Sequence, residues 1–191
     1  MRTRPGPVRE ASWPAPEPVA GIGVVFLVGF MGAGKSCVGQ ALGRQLGWPF
    51  EDLDDRIQAR EAQTIAQIFR SSGEAAFRRA EHQAIQELLS GLGSSPRVVA
   101  LGGGAFAQPE NAALVEATRF PIVFLDAPVE ELWRRCQQQE VQRPLRQDEQ
   151  QFRDLYAARR PYYLRAGLRV ETSGKAIETI AGEVASRLRL R

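Results

Sequence analysis

The chain is short of the residues that build metal cages, disulfide frameworks and membrane spans. It has one histidine, His82, and two cysteines, Cys37 and Cys136, with no paired spacing between them. A zinc cage and a disulfide scaffold are therefore not expected, and a reducing, cytoplasmic setting is the simplest. No apolar run approaches the ~18 residues a membrane helix needs, so no membrane partner is expected. A formal net charge of +3 is mild. It fits a protein that handles small anions as well as one that touches nucleic acid, and by itself decides nothing. Lysine is the most telling scarcity. Against 23 arginines stand two lysines, Lys35 and Lys175. In so lysine-poor a chain, a lysine closing a glycine-rich loop looks selected for its chemistry.

That loop is Gly29-Phe30-Met31-Gly32-Ala33-Gly34-Lys35-Ser36, a match to G-x-x-x-x-G-K-[ST]. Before it runs Val24-Val25-Phe26-Leu27-Val28, a continuous apolar strand of the kind buried in a parallel sheet. After it, Val38, Leu42 and Leu46 fall on one helical face. Strand, loop and helix together predict a nucleotide-phosphate site. The glycines let backbone N–H groups turn inward as an anion nest at a helix N-terminus. Lys35 adds a point charge for the β- and γ-phosphates, and Ser36 a hydroxyl for Mg²⁺.

Residues 1–20 hold five prolines and no hydrophobic period, so a disordered tail is expected there, with a targeting role the lesser reading. Beyond Gly47, a second strand is expected over residues 48–54, ending in Asp52 and Asp54. At strand spacing these carboxylates point the same way, off the edge where open α/β sheets bind ligands. The competing reading is a helix cap with an acidic first turn. Residues 64–89 read as helical and broken at Gly73, with Arg78 and Glu81 as a solvated i,i+3 pair. A third strand, Val98 to Leu101, runs into Gly102-Gly103-Gly104, where something must approach the backbone closely. Residues 120–125 read as a fourth strand and 129–138 as a helix. Residues 137–151 are almost all polar, either a surface loop or a mobile cover. A helix over 152–164, a strand at 168–170 and an amphipathic helix over 177–190 complete the pattern.

Taken together, the motifs resemble those of shikimate kinase over about residues 22–190. Five carry the resemblance, in order. They are the glycine loop ending in Lys35-Ser36; Asp52-Leu53-Asp54; Gly73-Glu74-x-x-Phe77-Arg78; Gly102-Gly103-Gly104; and Arg143-Pro144-Leu145 followed by Arg159-x-Pro161-x-Tyr163. The resemblance implies an ATP-dependent kinase that makes shikimate 3-phosphate, on the route to chorismate and the aromatic amino acids. It implies ATP contacts from Gly32, Ala33, Gly34, Lys35, Ser36, Cys37, Arg135 and Arg143. Mg²⁺ falls to Ser36 and Asp52. Shikimate falls to Asp54, Arg78, Gly102, Gly103, Gly104 and Arg159, and catalysis to Lys35, Asp54 and Arg143.

Two arginines suit one carboxylate, because forked guanidiniums fix its geometry. One departure is plain: Cys37 stands where the family usually has threonine. The alternatives are a related small-molecule kinase of the gluconate type and a catalytically inactive homologue. The expected fold is α/β, a three-layer αβα sandwich with a mostly parallel five-stranded sheet of the P-loop NTPase type. A single domain over 21–191, acting as a monomer, is expected. Within it the substrate region lies at about 54–83 and the lid at about 137–151.

Overall fold

The computed structural model describes residues 23–93, 95–138 and 148–190. The expected tail, Arg143 and most of the expected lid lie outside the described residues. Strands β1 (Val24–Val28), β2 (Phe50–Asp52), β3 (Arg97–Ala100), β4 (Ile122–Asp126) and β5 (Leu168–Glu171) form one sheet in the order β2-β3-β1-β4-β5. Every pairing is parallel, with Phe26 opposite both Val99 and Ile122. The helices are α1 (Lys35–Leu46), α2 (Leu53–Glu61), α3 (Ile65–Ser90), α4 (Pro109–Ala117), α5 (Val129–Gln138), α6 (Glu149–Tyr163) and α7 (Ile177–Arg187).

The apolar runs explain the sheet. Parallel strands covered on both faces cannot alternate with polar residues, and β1 and β4 are buried at every position. β1 is central: the chain crosses first to the edge strand β2, returns to lay β3 beside β1, and then adds β4 and β5 on the other side. The order of connection therefore reverses at β1. This switch opens a crevice at the carboxyl ends of the strands, where the loop after β1 and the glycines after β3 both emerge.

Two expectations need correction. β2 stops at Asp52 rather than running on to residue 54, because Asp52 is the N-cap of α2 and its side chain accepts a hydrogen bond from the Asp54 N–H at 3.0 Å. Capping satisfies a donor that a helix start leaves orphaned, and this outweighs the extension of a three-residue strand. The alternation argument for Asp52 and Asp54 thus fails. The second correction concerns α3, which is not a solvated helix at Glu81: that carboxylate is 1% exposed. Gly73 does break the helix, with φ 78° and ψ 175°.

Candidate active site

The phosphate end is made of backbone. Gly34, at φ 88°, is the N-cap of α1, and no side chain caps that terminus in the described residues. The N–H groups of the first turn therefore remain directed outward, with the positive end of the helix dipole behind them. Lys35 Nζ arches over the loop and donates to the carbonyls of Gly29 (2.9 Å) and Phe30 (3.2 Å). Ser36 Oγ donates to Asp52 Oδ2 at 2.5 Å, so the hydroxyl and carboxylate that suit a hard cation already sit together. Asp52 thus caps α2 while its other carboxylate oxygen meets the Ser36 hydroxyl.

The opposite end is made of side chains from distant elements, gathered round the three glycines after β3. A Cβ on Gly102 would lie 2.6 Å from Asp54 Oδ1 and 3.3 Å from Glu81 Oε1. On Gly103 it would lie 3.4 Å from the Met31 N and 3.8 Å from Lys35 Nζ. On Gly104 it would meet Arg78 Nη1 at 2.8 Å, Arg78 Nη2 at 3.0 Å and Arg159 Nη2 at 3.1 Å. Each glycine thus leaves room for a different group. The first admits the carboxylates, the second the phosphate loop and the third the two guanidiniums.

Two cations forced together in a half-buried cleft ask for an anion. Arg159 is 8% exposed, and burial lowers its pKa, with the charge of Arg78 pushing the same way. Arg78 is held by Glu81 at 2.8 Å and Glu74 at 3.1 Å, and these carboxylates more than offset its desolvation, so its pKa is raised. A forked pair of guanidiniums beside a nucleotide loop, with Asp54 facing the same glycines, fits a small acid that also carries hydroxyls.

Comparison with known proteins decides the family. The family model for shikimate kinase matches residues 31–189. A shikimate kinase of Persephonella marina is 36% identical over 86% of this chain and 98% of its own length. The structure of Acinetobacter baumannii shikimate kinase in complex with shikimate matches with a TM-score of 0.79 at 36% identity, covering 85% of this chain and 90% of that one. The chain belongs to the shikimate kinase family. Shikimate kinases are ATP-dependent phosphotransferases acting on a hydroxyl of shikimate. A Sinorhizobium meliloti gluconokinase also matches, with a TM-score of 0.59 at 18% identity over 88% of this chain and 93% of that one, which is likeness of fold alone.

Arg135 lies beside the glycine loop. It donates to the Gly32 carbonyl at 3.4 Å, to Thr172 Oγ1 and O at 3.0 Å, and to Glu131 at 2.7 Å. It therefore braces the glycine loop against the turn after β5. Phe30, the second residue of the loop, packs edge-on against Phe152 and Tyr156 of α6, with ring centroids 4.9 and 5.5 Å apart. Cys37 is exposed on the first turn of α1.

Sequence reasoning missed Glu81. Burial raises its pKa, and Asp54 adds to that rise while Arg78 and Arg159 oppose it. It touches Arg78 directly and faces Gly102, so it sets where the guanidinium points. A signal was present: Glu81 stands three residues beyond Arg78, the spacing at which a carboxylate orients an arginine on one helix face. What the sequence did not show is that this face turns inward.

Proposed function

We propose that the chain transfers the γ-phosphoryl group of ATP to the 3-hydroxyl of shikimate, and that its residues divide the work as follows. The outward N–H groups at the start of α1, with Gly32, Ala33 and Gly34, bind the ATP phosphates. Lys35 follows the charge of the transferring group. Ser36 and Asp52 would hold Mg²⁺, and the ion would supply positive charge to the phosphate oxygens. Their oxygen donors suit that ion. No group of three or more metal-binding side chains occurs among the described residues, which suits an ion that would keep water and phosphate ligands.

On the acceptor side, Arg78 and Arg159 clamp the carboxylate while Gly103 and Gly104 offer backbone N–H groups. Asp54 orients the attacking hydroxyl and is placed to accept its proton. Phosphoryl transfer needs little covalent help from protein, so most of the rate comes from alignment and charge neutralisation. Arg143 is assigned the closing contact on the phosphoryl group and Arg135 a place beside the adenine. The enzyme acts as a cytoplasmic monomer, without nucleic acid or membrane. An exposed free thiol at Cys37 supports a reducing compartment.

One observation carries this reading: both guanidiniums converge on Gly104 within the same short loop whose Gly103 faces Lys35. Acid clamp and phosphate charge are thereby one residue apart. The test is ADP release with Mg²⁺-ATP and shikimate, gluconate or no acceptor, in the wild type and in Arg78→Ala. Turnover with shikimate alone, lowered on the order of a hundredfold in kcat/KM by the variant, is expected. ADP release no faster with shikimate than without acceptor defeats the proposal.

A further inference from the structure

Tyr163 ends α6, one turn beyond Arg159, and it is 0% exposed. Its ring packs against Phe124 of β4 with centroids 5.4 Å apart, a role phenylalanine would fill as well. The hydroxyl is what needs explaining, since a buried O–H is costly unless it is partnered. It donates to the carbonyl of Gly103, the middle residue of the glycine loop. Arg159 Nη1 reaches the same oxygen at 3.5 Å, a long and weak contact beside the tyrosine's.

A trans peptide is planar, so its C=O and the following N–H point opposite ways. No cis peptide occurs among the described residues. Holding the Gly103 oxygen against α6 therefore turns the Gly104 N–H away from that helix. Without a side chain at 103 or 104, rotation of this peptide unit has little steric restraint of its own. A turn hydrogen bond from the Ala105 N–H to the Gly102 carbonyl, at 3.0 Å, spans this peptide, and the tyrosine adds a peg from outside the loop.

We propose that Tyr163 is a positioning residue for the acceptor: its hydroxyl locks the peptide between Gly103 and Gly104 so that the Gly104 N–H is pre-aimed and stays in register with Arg159. One hydroxyl on α6 thus ties the backbone donor of the glycine loop to the guanidinium one turn away. Burial, which raises the phenol's pKa, keeps the proton on the oxygen throughout the working pH range, so the group acts as a donor and never as a base. The proposal rests on the reading of the site as an acceptor site for shikimate.

The decisive variant is Tyr163→Phe, which keeps the ring and removes the peg. A rise of about tenfold in the KM for shikimate is expected, with the KM for ATP within about twofold of wild type and kcat lowered less than the shikimate KM is raised. The melting temperature is expected to fall by only a few degrees. A tyrosine that merely stabilised the core would lower the melting temperature and leave the ratio of the two KM values unchanged, and that result overturns the proposal. A second substitution, 3-fluorotyrosine at 163, retains the donor and is expected to restore the shikimate KM. Its failure to do so while folded also counts against the peg. In ¹⁵N-labelled protein, the Gly104 amide signal is expected to shift or broaden in Tyr163→Phe before any ligand is added; an unmoved signal refutes the locked peptide. If the wild type itself did not turn over shikimate, the functional reading would fail instead, which the NMR result distinguishes because it needs no substrate.

Discussion

The two ends of the cleft are built by opposite means. On the proposed reading, the phosphate end is eight consecutive residues whose backbone does the binding, with Lys35 and Ser36 as its only charged or hydroxylic side chains. The acid end draws Asp54 from α2, Arg78 and Glu81 from α3, three glycines from one loop, and Arg159 with Tyr163 from α6. A phosphate group is met by a local conformation, whereas a particular acid is met by a tertiary arrangement. The difference teaches where specificity lives. On the proposed reading, the first end could serve any nucleoside triphosphate, while the second excludes acceptors that lack a carboxylate at the right distance from the hydroxyl.

The largest expected effect removes the charge where the two ends meet. Lys35→Ala is expected to lower kcat/KM on the order of a thousandfold, since a cation on the transferring phosphoryl works mainly in the transition state. Steady-state ADP release measures this, and a loss of less than about tenfold would break the division of labour drawn here. The fold should survive, because the hydrogen bonds from the Lys35 ammonium to the Gly29 and Phe30 carbonyls lie within the loop itself.

Next comes a change meant to strike one end alone. Gly104→Ala would set a methyl 2.8 Å from Arg78 Nη1 and 3.1 Å from Arg159 Nη2. The guanidiniums must then part, and the shikimate KM is expected to rise on the order of tenfold to a hundredfold while the ATP KM holds. Equal movement of both constants would show that the two ends are not separable.

The same contrast governs what could be read from the sequence. The P-loop was legible because its ligands are adjacent in the chain, and the apolar strands because parallel burial forbids alternation. The family's motifs also picked out Arg78 and the three glycines, although the charge pattern of α3 alone made Arg78 look solvated. Glu81 was not legible as part of the cleft, since nothing local distinguishes a buried carboxylate from an exposed one on a helix rich in charge, and Tyr163 stood in the fifth motif with no role attached. The end of β2 was misjudged because Asp52 satisfies both a cap and a strand edge, and only the Asp54 N–H hydrogen bond separates them. Arg143 lies outside the described residues, so its assignment rests on the motif.

A subtler effect lies in pH. The folded protein holds the Glu81 pKa above its ordinary value, so between that ordinary value and the raised one the native state binds more protons than the unfolded chain. Through this group, stability falls as pH rises across that window and recovers on acidification. Affinity for shikimate should run the other way. A protonated Glu81 no longer holds Arg78 by charge, which leaves Arg78 and Arg159 less well registered, with Asp54 the remaining carboxylate facing Gly102. Shikimate KM measured from neutral pH downward is expected to climb in the wild type. Glu81→Gln should start higher at neutral pH and climb less, by the titration of the substrate carboxylate alone. Parallel profiles would remove Glu81 from the clamp.

The smallest effect returns to the phosphate end. Cys37 stands where the family usually has a hydroxyl on the first turn of α1, yet the N–H groups proposed to bind phosphate there belong to the backbone and are unchanged by the side chain. Cys37→Thr is therefore expected to change the ATP KM by no more than about threefold, a hydrogen bond's worth at most. Because the thiol is exposed, an alkylating reagent should reach it in the free enzyme, whereas Cys136 is buried. ATP should slow inactivation and shikimate alone should not, since the acid end lies across the cleft from α1. Inactivation at one rate with and without ATP would place Cys37 outside the nucleotide site. Protection by shikimate alone would mean that filling the acid end also closes the phosphate end, and the two regions would then have to be treated as one.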